Sequence, residues 1–202
     1  MIAAWRVELV RIGTVAPGVL RRLAGELGPC LARRVTIAPF TVDPTPAFDP
    51  LRRQYRVDTL LAALLDPSAP REVRRVGITN LDIFLPVFTH VLGLAQHGGR
   101  VAVVSLHRLR PDEPDHPDPE GVVRRRLLRE VLHELGHTLG LVHCDVPWCA
   151  MRASRVAEEV DIKDAAWCRS CAGGVGLAAD CPCAGREPGD RGAPLVEKER
   201  EG

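Results

Sequence analysis

Residues 133–143 read His-Glu-Leu-Gly-His-Thr-Leu-Gly-Leu-Val-His, and this stretch decides the fold prediction because it requires a helix that ends and turns back. His133 and His137 stand four positions apart, which places two side chains about 40° apart around a helix and about 6 Å apart along it. Both imidazole rings can therefore reach one metal ion. His143 supplies a third ligand, and three protein ligands are typical of a catalytic zinc site.

A straight helix cannot bring His143 to the same ion, because the ten residues from His133 span about 15 Å along the axis. Gly140 lies between the second and third histidines, and glycine adopts the left-handed backbone of a helix C-terminus at almost no cost. We therefore predict that the helix breaks at Gly140. Glu134 follows the first ligand and points off the ligand face, where a carboxylate can act as the general base for a zinc-activated water. The alternative, an ordinary amphipathic helix with solvated histidines, leaves this spacing unexplained.

Four cysteines follow directly as C-x4-C and C-x2-C, namely Cys144, Cys149, Cys168 and Cys171. Two close pairs of thiolates match a closed structural zinc site. The alternatives are two disulfides or four buried thiols without a ligand, and both are disfavoured by a reducing compartment and by the short second loop. A second zinc ion would tie residues 144–171 into a small subdomain that has little core of its own.

Composition narrows the possible partners. The 202 residues carry 27 basic and 26 acidic side chains, so no global field attracts nucleic acid or an anionic membrane. Apolar stretches such as residues 60–65 are far shorter than the roughly 20 residues that span a bilayer. Arg6 and Glu8 interrupt the apolar run that a secretory signal needs, so we expect a cytoplasmic protein with reduced or metal-bound cysteines. We also expect a monomer with no nucleic acid or membrane partner.

Strand and helix patterns alternate along the chain and predict an α/β (α+β) fold. The predicted strands cover residues 4–12, 34–39, 73–85 and 101–109. One predicted helix begins at Pro17, and two others cover residues 54–65 and 122–139. The predicted loops cover residues 41–50 and 110–121. Beyond residue 171 the apolar content falls, and a flexible tail is expected there. Cys181 and Cys183 in this tail could form a third metal clip, a thiol that blocks the catalytic zinc, or an unstructured reactive pair.

The double motif over residues 133–171, HExxHxxGxxH followed by C-x4-C-x-M and C-x2-C, resembles the archaemetzincins, a branch of the metzincin zinc peptidases. Residues 53–55, 77–84, 93–95 and 103–106 also resemble strands and loops of that family. The likeness covers about residues 4–171. Two departures stand out: the gap from Met151 to Cys168 is about one residue short, and no tyrosine follows Met151.

This resemblance implies a metzincin-like fold with a twisted mixed sheet, an active-site helix and a Met-turn at Met151 beneath the catalytic zinc. It implies that the four cysteines hold a second, structural zinc, and that the substrate lies along the edge strand of the sheet, expected near residues 101–108. The predicted organisation is a catalytic domain over residues 1–171, with 144–171 as its four-cysteine zinc subdomain, and a flexible tail over 172–202.

The predicted function is a zinc-dependent metallopeptidase, a hydrolase with two zinc ions per chain that cleaves a peptide or protein substrate. Glu134 is predicted to be its general base. The alternative is a zinc-stabilised module that binds peptides or proteins with little or no turnover, because fold and site geometry do not name a substrate. Aminopeptidase and endopeptidase activity both remain open.

Overall fold

The computed structural model of the protein describes residues 5–113, 115–177 and 181. Its strands are β1 Arg6–Ile12, β2 Val35–Val42, β3 Phe48–Asp49, β4 Gln54–Arg56, β5 Val73–Thr79, β6 Ile83–Phe84, β7 Gly93–Ala95 and β8 Val101–Ser105. Its α-helices are α1 Pro17–Leu31, α2 Val57–Leu64, α3 Pro119–Thr138, α4 Ala157–Asp161 and α5 Arg169–Gly174. Over the described residues, no helix is both long enough and apolar enough to cross a bilayer.

A five-stranded mixed sheet forms the centre of the fold, with the strand order β2-β1-β5-β8-β7. The first four of these strands are parallel, and β7 runs antiparallel to β8. A smaller sheet contains β3, β4 and β6. The predicted α/β class with a mixed sheet is confirmed.

Each face of the main sheet carries its own hydrophobic core. Strand β8 shows why, because Ala102 and Val104 pack into the core shared with α1 and α3, whereas Val101 and Val103 pack into the core shared with α2. A strand covered on both faces has no polar side, which explains the uninterrupted apolar run in β8. Helix α3 lies on the first face, with Val131 and three leucines, Leu127, Leu132 and Leu135, in that core.

The expectation that residues 101–108 form the sheet edge is wrong. All five residues of β8 are buried, and the strand lies between β5 and β7. The edge strand is β7, which the turn at Gly98 and Gly99 folds back against β8. With three half-buried residues, β7 is too short to show an alternating pattern in the sequence.

Several element boundaries also differ from prediction. Residues 54–56 form β4 rather than the first turn of a helix, and α2 begins at Val57. Helix α3 begins at Pro119, because the Asp118 side chain caps it by accepting a hydrogen bond from the Gly121 N–H at 2.8 Å. The short helices α4 and α5 were not predicted from the sequence.

Ordered packing extends past residue 171, where the tail was expected to begin. Val175, Leu177 and Cys181 are buried against the core around α1 and α3. Residues 178–180 and 182–202, which include Cys183, lie outside the described residues. The Cys181 thiol donates a hydrogen bond to the Cys30 carbonyl at 3.1 Å. Cys30 itself is disulfide-bonded, so the expectation of reduced or metal-bound thiols is wrong for this cysteine.

Candidate functional site

Helix α3 carries the first two histidines and ends at a cap that depends on glycine. Gly140 has a φ of 91°, in the left-handed region. The Gly140 N–H donates to the His137 carbonyl at 3.0 Å, and the Leu141 N–H donates to the Gly136 carbonyl at 2.9 Å. These two hydrogen bonds form the Schellman arrangement that closes a helix and reverses the chain. The reversal brings the following segment back alongside the last turn of α3.

His133 and His137 point at one spot, with their Nε2 atoms 3.1 Å apart. The Nδ1 atom of His133 lies 2.8 Å from the Ala150 carbonyl, and Nδ1 of His137 lies 2.8 Å from the Leu141 carbonyl. A carbonyl oxygen only accepts, so each Nδ1 carries the proton and each Nε2 presents a lone pair. Two lone pairs at this distance repel each other unless a cation lies between them.

His143 joins this pair from the coil after α3. Its ring centroid lies 5.3 Å from that of His133 and 5.0 Å from that of His137. One nitrogen from each of the three rings lies within 4.8 Å of the others. His133 is buried, His137 is half-buried and His143 is exposed, so the cluster is closed toward the core and open toward solvent.

The histidine cluster fits a zinc ion. Two nitrogens on a tetrahedral zinc with bonds of about 2.0 to 2.1 Å lie about 3.3 Å apart, close to the observed separation of the two Nε2 atoms. Burial lowers the pKa of His133 well below its usual range and also lowers the pKa of His137, so both rings are neutral, as metal ligands must be. The hydrogen bonds to backbone carbonyls fix each ring in the orientation that a ligand needs.

The Glu134 carboxyl group is buried between α3 and the edge strand β7. A Cβ atom at Gly93 would lie 2.7 Å from Oε1 of Glu134 and 2.9 Å from its Cγ, so only glycine leaves room for the carboxyl group here. Burial holds the pKa of Glu134 well above its usual range, and the nearby charge of Glu130 raises it further. A carboxyl group in this environment is suited to take up and release a proton.

A buried ion pair lies one helical turn before Glu134. The Lys163 ammonium is 3.0 Å from Oε1 of Glu130, and both side chains are buried, with exposures of 0% and 3%. Burial raises the pKa of Glu130, whereas the charge of Lys163 lowers it. Sequence reasoning missed this pair. The sequence feature that could have pointed to Lys163 is the rarity of lysine, since only two of the 27 basic residues are lysines.

Met151 connects the histidine cluster to the cysteines. It is fully buried, and its sulfur occupies the space that a side chain at Gly136, the residue directly before His137, would need. The carbonyl of the preceding residue, Ala150, is the partner of His133. The Met151 carbonyl accepts a hydrogen bond from the Cys144 N–H at 3.0 Å. One turn of chain therefore contacts both clusters.

The sulfur atoms of Cys144, Cys149, Cys168 and Cys171 all lie within 4.8 Å of one another. None of the four is in a disulfide. The Cys144 and Cys168 sulfurs are 3.9 Å apart, close to the separation of about 3.8 Å for two sulfurs on a tetrahedral zinc. The Cys149 sulfur accepts hydrogen bonds from the N–H groups of Met151 and Cys168.

The electrostatics of this cluster also fit a metal. Burial raises the pKa of Cys149 to about 11, and burial likewise raises the pKa of Cys171. Thiols crowded together in this way cannot all ionise in the absence of a cation. A zinc ion replaces their protons and compensates the negative charge, so the four cysteines fit a structural zinc.

The region that holds both clusters matches a known family. Residues 45–175 match the sequence profile of peptidase family M54. The archaemetzincin of Halobacterium salinarum is 37% identical over 171 residues, which cover 82% of this chain and 96% of that protein. The archaemetzincin of Pyrococcus horikoshii is 41% identical over 126 residues, which cover 62% of this chain and 67% of that protein.

Solved structures share the fold. The zinc-dependent peptidase of Methanocorpusculum labreanum superimposes with a TM-score of 0.73 at 27% identity, over 84% of this chain and 99% of that one. The archaemetzincin of Archaeoglobus fulgidus gives a TM-score of 0.70 at 30% identity, over 83% and 99% of the two chains.

Proposed function

The chain belongs to peptidase family M54, the archaemetzincins, and from this membership we propose how its residues hydrolyse a peptide bond. It is a zinc metallopeptidase that acts on peptides or proteins. This membership favours turnover over the alternative of a binding module. We propose that His133, His137 and His143 hold the catalytic zinc. The observation that carries this assignment is the pair of Nε2 atoms 3.1 Å apart, each on a ring whose Nδ1 is bound to a carbonyl.

A zinc ion held by the three histidines would act as a Lewis acid: it would polarise the substrate carbonyl and lower the pKa of a water molecule. Glu134 takes the proton from the attacking water on a carboxylate oxygen and passes it to the amine nitrogen that leaves. The contact with Gly93 holds this carboxyl group in place. The exposed side of the cluster, at His143, admits water and substrate.

The substrate binds as an extended peptide along β7. This proposal is supported by the position of β7 at the edge of the sheet and by its contact with Glu134 through Gly93. An extended peptide adds to a sheet edge through backbone hydrogen bonds. In that position the substrate backbone passes the general base.

The second zinc is structural and is held by the four cysteines. Each chain then binds two zinc ions, one in each cluster. The support is the convergence of four sulfurs within 4.8 Å in a closed setting. The catalytic domain covers the predicted residues 1–171 together with Val175, Leu177 and Cys181, which pack on the same core as α3. Residues 144–171 form its four-cysteine subdomain.

The experiment on the mechanism compares Glu134→Gln with Glu120→Gln. Glu120 lies on the same helix in its exposed first turn and serves as the control. Both variants are assayed on a mixed peptide library, with cleavage sites read by mass spectrometry. Glu134→Gln is expected to lose activity by about 10²- to 10⁴-fold with unchanged zinc content. Full turnover by this variant would refute the role of Glu134 as general base.

We further propose that the protein is a cytoplasmic monomer with neither a nucleic acid nor a membrane partner. The near-zero net charge supports the absence of these partners. Light scattering tests the monomer, and cell fractionation tests the location.

A further inference from the structure

The buried ion pair of Glu130 and Lys163 takes part in no step of the proposed mechanism. The Lys163 ammonium lies 3.0 Å from Oε1 of Glu130, and the Lys163 and Glu130 side chains are 0% and 3% exposed. Replacement of a buried ion pair by apolar side chains of similar volume often leaves a protein as stable as before, or more stable. Stability alone therefore does not account for this pair in the interior of the protein.

Glu130 and the first histidine lie on the same face of α3. Glu130 is three positions before His133, and residues three apart are neighbours on a helix surface. Glu130 contacts Lys163, whereas Nδ1 of His133 lies 2.8 Å from the Ala150 carbonyl. Two neighbouring side chains of one helix therefore contact two segments that are separated along the chain.

These two segments are bonded to each other through their backbones. The Asp164 N–H donates to the Trp148 carbonyl at 2.7 Å, and the Ala150 N–H donates to the Ala166 carbonyl at 2.8 Å. Lys163 directly precedes the donor of the first bond, and Ala150 is the donor of the second. A shift of the segment that carries Lys163 is therefore passed to Ala150.

The contacts form a closed ring. It runs from Glu130 to Lys163, along the paired backbones to Ala150, and through the Ala150 carbonyl to the His133 side chain on the same helix. A carbonyl that accepts a hydrogen bond from a ligating histidine fixes the orientation of its ring and thereby raises metal affinity. The ion pair ties the paired segments to α3, so it limits how far this carbonyl can move from the His133 ring.

We propose that Glu130 and Lys163 are positioning residues for the catalytic zinc, because their ion pair keeps the Ala150 carbonyl against the His133 ring. The proposal rests on the proposed function, since it takes His133 as a zinc ligand. Loss of the pair then weakens zinc binding at the three histidines and leaves the zinc at the four cysteines bound as before. A pair that served only the stability of the fold would not separate the two zinc ions in this way.

The test measures zinc affinity in the double variant Glu130→Gln with Lys163→Met, which removes the ion pair without leaving an uncompensated charge. Zinc-loaded wild type and variant are titrated with a chromophoric chelator. His137→Ala protein identifies the part of the curve that belongs to the cysteines. The histidine zinc is expected to bind about 10- to 100-fold more weakly in the double variant, with the affinity of the cysteine zinc within about twofold of that in the wild type.

A second measurement follows the hydrogen bond itself. In zinc-loaded protein labelled with 15N-histidine, NMR reports how fast the Nδ1 proton of His133 exchanges with solvent. This exchange is expected to be faster in the double variant, because the carbonyl is held less firmly. Should the double variant not fold, Glu130→Asp takes its place, since it shortens the side chain but keeps the charge, and the same direction of change is expected in both measurements.

The matched control is another double variant on the same helix. Arg124→Met with Glu26→Gln removes an ion pair of 2.9 Å between α3 and α1, which lies outside the ring of contacts. This control is expected to leave the affinity of both zinc ions within about twofold of that in the wild type.

The outcomes separate this proposal from the peptidase mechanism. If wild-type protein cleaves no peptide but the double variant selectively loses affinity for the histidine zinc, the mechanism fails and the positioning role stands. Unchanged affinity of the histidine zinc in a folded double variant would overturn the positioning role, as would an equal weakening of both zinc ions. Wild-type protein that binds no zinc at the histidines would refute both proposals.

Discussion

The histidine and cysteine clusters of this protein are neighbours but are constructed differently. Two of the histidines come from the interior of a long regular helix, and the third is exposed on the returning chain. The cysteines come from coil and from the start of a short helix, and each is buried or half-buried. Glu134 gives the histidine cluster a buried carboxyl group directly after its first ligand. The difference separates an open three-ligand set suited to chemistry from a closed four-ligand set suited to structure.

The two clusters are nevertheless coupled through one turn. Ala150 accepts the hydrogen bond from His133, and Met151 accepts one from the Cys144 N–H and donates one to the Cys149 sulfur. The cysteines, the closed cluster, therefore hold the turn that orients a ligand of the histidines, the open cluster. Four substitutions test this division of roles, taken in order of expected effect.

Loss of the closed cluster has the largest expected effect on stability. Cys149→Ser removes a buried ligand, and because zinc binding contributes folding free energy, the loss is expected to exceed about 5 kcal/mol. At about 2 to 4 °C per kcal/mol, the Tm falls by more than about 10 °C in a thermal melt. Cys181→Ser is the control, since it changes a buried thiol outside the cluster. Equal losses in both variants would contradict a structural zinc.

Breaking the buried ion pair beside the open cluster has the second largest expected effect on stability. Lys163→Met leaves the Glu130 carboxylate buried without a partner, which costs about 3 to 5 kcal/mol in the free energy of unfolding. The double variant Glu130→Gln with Lys163→Met removes the uncompensated charge and is expected to recover at least half of that loss. Denaturant unfolding measures both variants. A double variant no more stable than Lys163→Met would show that the charge is not the cause.

Gly93→Ala tests the open cluster without touching a ligand. The new methyl group would lie 2.7 Å from the Glu134 carboxyl oxygen and 2.9 Å from the Val103 carbonyl oxygen, so the carboxyl group or the pairing of β7 with β8 must shift. A displacement of this size is expected to lower kcat/KM by about 10- to 100-fold while both zinc ions remain bound. Gly25→Ala in α1, where a Cβ meets nothing within 4 Å, is the control and should keep full activity. Unchanged activity in Gly93→Ala would remove this glycine from the mechanism.

The smallest expected effect concerns the helix break. A Cβ at Gly140 meets nothing within 4 Å, so only its φ of 91° opposes substitution. Gly140→Ala is expected to cost about 1 to 2 kcal/mol, and Gly140→Asn less, since asparagine tolerates the left-handed region. Thermal melts measure this order. An alanine variant as stable as the wild type would show that the cap does not require glycine.

Both clusters could be predicted from the sequence because their ligand spacings are local. The interval from His133 to His137 is set by the helix repeat, and Gly140 marks the reversal. The alternation of strands and helices likewise predicted the α/β class. These features depend on residues that are neighbours along the chain.

The features that were missed depend on tertiary contacts. Glu130 and Lys163 are 33 residues apart and meet only because α3 packs against the segment after α4. Gly93 meets Glu134 across the sheet edge, and no spacing rule links the two positions. The edge itself was assigned to the wrong strand, because β7 is too short for its period to show.

The most direct test of one open and one closed zinc site is the zinc content per chain. It is measured by elemental analysis on protein purified without added metal or chelator, for wild type, His137→Ala and Cys149→Ser. The expected values are two, one and one, with the Tm much lower in Cys149→Ser than in His137→Ala. One zinc in the wild type, or two in His137→Ala, would contradict this assignment.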